Sequence, residues 1–88
     1  MFTVIVHRKV LKFIKKNIKD ENIRRSLINA ISDLQRYPLV LRERDVEKIK
    51  GMERVFRIRV GRYRIIFYVD KSKRTIYVTH IGIRGRIY

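Results

Sequence analysis

Residues 55–67 read VFRIRVGRYRIIF, with four arginines in the eight positions from Arg57 to Arg64. Apolar and cationic residues alternate, the period-two pattern of a strand with one buried face. Taking Gly61-Arg62 as a two-residue hairpin loop, with glycine supplying the positive φ, predicts a register. Val60 then opposes Tyr63, Ile58 opposes Ile65, and Phe56 opposes Phe67; every pair is apolar. The other face sets Arg59 against Arg64 and Arg57 against Ile66. A slip of one residue would turn the arginines into the core, so the apolar side specifies the register.

Downstream, Asp70 to Lys73 makes a second turn and RTIYVTHIG a further strand. Ile76 and Val78 take the core parity, Tyr77 and Thr79 the arginine parity. Gly82 is expected to end or bend this strand. Upstream, FTVIV at 2–6 is a short strand. From Arg8 the period changes, and Leu11, Ile14 and Ile18 share a helical stripe with Val10 and Phe13 beside it, over roughly residues 8–18. Asp20 caps a second helix. Its apolar positions Ile23, Leu27, Ala30, Ile31 and Leu34 follow the i, i+4, i+7, i+8, i+11 series, and Pro38 ends it. The two helices are nearly contiguous and should form an αα-hairpin. Residues 39–52 show no clean period and read as a charged connection with Val46 and Ile49 pinned to the core. The expected fold is α+β, in the order β-α-α-β-β-β. A mostly antiparallel sheet carries the helical hairpin on one face, and its arginine face stays partly open.

A chain of 88 residues fits one domain over 1–88 with a single core. There are no cysteines, which excludes disulfides and thiolate metal sites and fits the cytoplasm. Apolar runs fall far below the ~20 residues of a membrane span, so no membrane partner is expected. The N-terminal MFTVIVHRK places its basic residues after a short apolar run, unlike a signal peptide.

Charge is the dominant feature. Lys plus Arg is 23 against 8 for Asp plus Glu, a net +15. Adaptation to heat enriches Glu along with Lys, and here the acids do not keep pace. A polyanionic partner, above all nucleic acid, is the better explanation. Like charges directly opposed across strands destabilise a sheet by roughly 0.2–1 kcal/mol, so Arg59 against Arg64, with Arg57 near, runs against stability. A solvated face of splayed side chains is the plain alternative. Lys outnumbers Arg up to residue 50 and Arg dominates afterwards. Guanidinium forks bind phosphate oxygens in a bidentate way that ammonium cannot, which favours phosphate binding on this face.

The stretch KIKGMERVFRIRVGRYRIIFYV resembles the core of the RelE toxin family, within the RelE/ParE superfamily. The matching elements are Lys48-Ile49-Lys50-Gly51, then Phe56-Arg57-Ile58-Arg59-Val60-Gly61, then Tyr63-Arg64. The tail Gly82-Ile83-Arg84-Gly85-Arg86-Ile87-Tyr88 resembles the family's closing Arg-x-x-Ile-Tyr, and the element order fits over the whole chain. The resemblance implies a ribosome-dependent mRNA interferase, the toxin of a type II toxin–antitoxin system. Such a toxin helps the RNA 2′-OH attack the adjacent phosphate in the ribosomal A site, giving a 2′,3′-cyclic phosphate and a 5′-OH. It also implies a RelB-like antitoxin in a hetero-oligomer, the ribosome and mRNA as partners, a cytoplasmic location and no cofactor.

Weighed against that chemistry, Arg64 is the leading candidate for the phosphate clamp, since preorganised cations stabilise a phosphorane. Arg84 would neutralise or protonate the leaving 5′-oxygen. Arg57 and Arg59 stand where relatives often carry lysine. Arginine effectively keeps its proton, so both take electrostatic roles and the general base is open. Tyr88 is a candidate base or stacking platform, its proton loosened by nearby arginines, or else a terminal aromatic packed on the sheet. His80 is a candidate base by type, but the register turns it toward the core beside Tyr63, where a structural role is the default. His7, at the strand-to-helix junction, reads as structural. Two distant histidines without cysteines make a zinc site improbable. Lys48, Lys50, Arg62 and Arg86 are expected to touch RNA. Lys12, Lys15, Lys16 and Lys19, with Arg24 and Arg25, form a broad basic surface for ribosomal RNA, or a solvated face. Two other functions compete: a ParE-like gyrase poison of the same fold, and a non-catalytic RNA-binding protein.

Overall fold

The computed structural model describes residues 1–83. Strand β1 (Thr3–Val6) leads into helix α1 (Arg8–Asn17) and helix α2 (Glu21–Asp33), and α2 tightens into a 3₁₀ turn over Leu34–Arg36. A single helical turn, α3 (Val40–Glu43), precedes strands β2 (Val46–Lys48), β3 (Val55–Val60), β4 (Tyr63–Asp70) and β5 (Thr75–Ile83). The five strands form one sheet in the order β1-β5-β4-β3-β2. All pairings are antiparallel except β1 with β5. The helix-bearing crossover between β1 and β5 is what a parallel pairing requires.

Both helix starts are capped as their sequences dictate. The Asp20 carboxylate accepts from the Asn22 and Ile23 amides at 2.8 and 3.3 Å. His7 turns its Nδ1 to the Lys9 amide at 3.1 Å, which gives that histidine a structural task. The buried stripe of α1 is Val10 and Ile14, and that of α2 is Leu27, Ala30 and Ile31. They pack over Ile58, Ile65, Phe67, Val69, Ile76 and Val78 of the sheet. At the centre Phe56 stacks on Phe67, with ring centroids 5.4 Å apart.

The hairpin has the expected register at every pair from Phe56↔Phe67 to Val60↔Tyr63. Gly61 has φ +60° and Arg62 does not share it, which matches a type II′ turn. Asp70 closes the next turn by accepting from the Ser72 hydroxyl and the Lys73 amide.

Two expectations are corrected. The 39–52 connection contains α3 and the edge strand β2; three residues are too short to display a period, although Val46 and Ile49 do meet the core. Gly82 neither ends nor bends β5, which runs on to Ile83 with Gly82 paired to Arg64. The irregularity lies earlier, where Phe67 pairs with Val78 but Ile66 pairs with His80, leaving Thr79 as the extra residue of a β-bulge.

Candidate nucleic-acid interface

Both long helices lie on one face of the sheet. On the other, the pairing aligns side chains into three cross-strand rows. The first row is Asp45, Arg59, Arg64 and Gly82, with the Arg59 amide bonded to the Asp45 carbonyl. The second is Glu47, Arg57, Ile66 and His80. The third is Val55, Tyr68, Tyr77 and Ile5.

Arg57, Arg59 and Arg64 thus come together as the alternation required, but their repulsion is offset. Arg57 donates a hydrogen bond to Glu47 Oε1, and Arg59 donates to the same oxygen at 3.2 Å. Arg59 also pairs with Asp45 at 3.7 Å. Two carboxylates, Glu47 and Asp45, thus offset part of the charge of Arg57 and Arg59. The Arg57 hydrogen bond, then the charges of Arg57 and Arg59, hold the Glu47 carboxyl below its ordinary value. The arginines therefore do contribute to the fold, through acids on a strand that the sequence pattern had not revealed. Arg59 still has a buried Nε with no acceptor among the described residues.

The bulge shifts the register by one, so Ile81 opposes Ile65 and packs on the core. His80 pairs with Ile66 at the end of the Arg57 row and is exposed at the sheet edge, where it lines a recess with Lys9, Val10 and Phe13 of α1. Thr79 donates its hydroxyl proton to the Ile66 carbonyl at 3.4 Å. His80 Nδ1 lies 3.0 Å from Thr79 Oγ1, and which of the two donates follows the tautomer of the histidine.

The remaining candidates separate. Arg62 is exposed at the hairpin tip. Lys48 pairs with Phe56 and so has the core parity, at the sheet edge, away from the arginine rows; Lys50 is exposed in the turn beyond it. Lys12, Lys15, Lys16 and Lys19 are exposed and without ion pairs among the described residues. Lys12, Lys15 and Lys16 belong to the helix on the opposite side of the sheet. Arg24 and Arg25 pair with Glu21, and Arg24 donates to the Ile18 carbonyl at 2.8 Å, so those two also hold helix α2. Arg84, Arg86 and Tyr88 lie outside the described residues.

A two-layer sheet with an open cationic face and an αα-hairpin behind it is the RelE-like fold. The profile described as "ParE toxin of type II toxin-antitoxin system, parDE" matches residues 4–88, and the chain belongs to that family. A relative named RelE1 from Methanocaldococcus jannaschii is 29% identical over 87 residues, covering 99% of this chain and 94% of its own. The archaeal RelE–RelB complex of Pyrococcus horikoshii contains a chain with TM-score 0.78 and 27% identity, covering 98% of each. The isolated Escherichia coli RelE toxin, at 19% identity, shares the fold with TM-score 0.76 over 99% of this chain and 88% of its own. The RelE resemblance of the sequence therefore stands: the protein is a RelE-like toxin of a type II toxin–antitoxin system.

Proposed function

We propose that this toxin is a ribosome-dependent mRNA endonuclease. The observation that carries the proposal is the meeting of Arg57, Arg59 and Arg64 on the sheet face away from the helices, with His80 at the end of the Arg57 row. A phosphodiester seated over Arg64 and Arg59 would gain charge-assisted hydrogen bonds. Those cations would stabilise the extra negative charge of the phosphorane as the 2′-OH attacks. His80 Nε2 would take the 2′-OH proton, the task no arginine can perform. The 2′-oxygen forms a bond to phosphorus as the bond to the 5′-oxygen breaks; Arg84 would neutralise the leaving 5′-oxygen, which takes its proton from water. The products are a 2′,3′-cyclic phosphate and a 5′-OH.

The RelB partners of the similar solved structures support a RelB-like antitoxin for this chain. Its acidic or apolar segments would cover the basic surface and silence the toxin in a hetero-oligomer. Both partners would meet in the cytoplasm, where ribosomes are.

A ParE-like action on gyrase is the second reading. It is favoured by the family profile and by the two carboxylates already engaging Arg57 and Arg59. Purified toxin is added to programmed ribosomes while mRNA 5′ ends are mapped, and in parallel to gyrase in a supercoiling assay. Codon-phased cuts with unaffected supercoiling are expected. Gyrase inhibition without any cut would overturn the nuclease reading, and neither effect would leave an RNA-binding protein.

A further inference from the structure

We infer that Tyr68 and Tyr77 form a stacking platform for an unpaired nucleobase of the bound RNA strand. The two rings lie in register on adjacent strands, stacked with centroids 6.2 Å apart and planes within 25°. Tyr68 is 39% exposed, and Ile5, at the end of the same row, is 48% exposed. With His7, Val78 and Thr79 they line a largely apolar recess of about 350 Å³ on the face that also carries Arg57, Arg59 and Arg64. Cross-strand aromatic pairs do stabilise sheets. That role needs no accompanying isoleucine left half in water beside an unfilled recess.

The occupant follows from what shares the face. Tyr68 follows Arg64 by four residues on β4, a separation of roughly 13 Å at the rise of a strand. A nucleotide or two of extended RNA spans that distance. Phosphate on the arginines and a base on the tyrosines is the division of labour by which single strands are held: cations track the backbone and aromatic faces take unstacked bases. The platform sits within the proposed RNA path, so it rests on the nuclease reading for its strand. It adds the site at which a flanking base is gripped.

The test uses the whole protein and a short single-stranded 2′-O-methyl RNA, which binds but lacks the attacking hydroxyl. Tyr68→Leu keeps an apolar side chain and removes the ring; Tyr68→Phe keeps the ring. Leucine should weaken binding by about 5- to 100-fold, the range of base–aromatic stacking, while phenylalanine binds as the parent does. An oligonucleotide abasic along its length should bind parent and leucine variant equally. Equal binding of the intact strand by parent and Tyr68→Leu would overturn the platform, as would a loss that persists with the abasic strand. Weakened antitoxin binding with unchanged RNA binding would also overturn it and assign the shelf to the protein partner. Ribosomal cleavage separates the two readings. Cutting by the parent with no change in Tyr68→Leu removes the platform alone; base-dependent binding without cutting removes the nuclease alone.

Discussion

Glu47 carries more information than any arginine it touches. Its carboxylate bonds both Arg57 and Arg59 and offsets the repulsion between them. Glu47→Gln should therefore raise affinity for single-stranded RNA and steepen the log–log salt dependence by about one phosphate equivalent. The same variant should melt lower at neutral pH. The sign follows from the lowered folded value: the unfolded chain binds the proton first, so this stabilisation is present above about pH 4.3, the ordinary Glu value, and is lost as pH falls through the folded one. Melting curves of the parent and Glu47→Gln should accordingly converge in acid. Arg64→Ala should lower single-turnover mRNA cleavage about 10²- to 10³-fold with the fold intact by circular dichroism. His80→Gly should cost about 10²- to 10⁴-fold, with part of the rate returning when imidazole is added. Failure of that rescue would return the base role to Tyr88.

The hairpin β3–β4 is the element on which the rest depends, because one strand pair supplies both the core floor and the arginine rows. Phe67 is fully buried and stacked on Phe56, so Phe67→Ala should cost about 3–5 kcal/mol. Asp20→Ala removes the cap of α2 and should cost about 1 kcal/mol. In a domain of this size each kcal/mol lowers Tm by about 4–8 °C. Thermal unfolding thus ranks the two directly, and a cap that mattered as much as the phenylalanine would mean the helices, not the hairpin, organise the core. The bulge at Thr79 is a smaller device with a larger chemical effect. It leaves β5 in the sheet while bringing His80, rather than Thr79, opposite Ile66 at the end of the Arg57 row.

Across the whole molecule, charge is divided between two surfaces. The arginine rows occupy one side of the sheet, and the lysines of α1 the other. One strand of RNA cannot lie on both at once, which suits an enzyme that grips its substrate on one side and a larger RNA scaffold on the other. Lys12→Glu with Lys16→Glu should weaken ribosome association and slow cleavage there while leaving short-oligonucleotide binding nearly unchanged. Sedimentation with ribosomes beside oligonucleotide titration measures the two. An equal loss in both would mean that long-range field alone, not a docking surface, governs binding.

Alternation from Phe56 to Phe67 made the hairpin and its register legible, because only one register buries six apolar side chains together. The arginine face and most of each helical stripe were legible on the same ground, although Leu11 and Ile23, which the helical period also selects, stay exposed; the Asp20 cap was legible from residue type at the helix start. Three features were not. Strand β2 is three residues long, so its pairing with β3, and the carboxylates it brings to Arg57 and Arg59, arise from contacts ten or more positions apart. The bulge leaves no mark on hydropathy, yet it decides which cross-strand row His80 joins. The tyrosine pair joins residues nine apart on adjacent strands, with Ile5 brought alongside by the parallel β1. Local periodicity is written in neighbouring residues, whereas a site is built from residues that only pairing across the sheet makes neighbours.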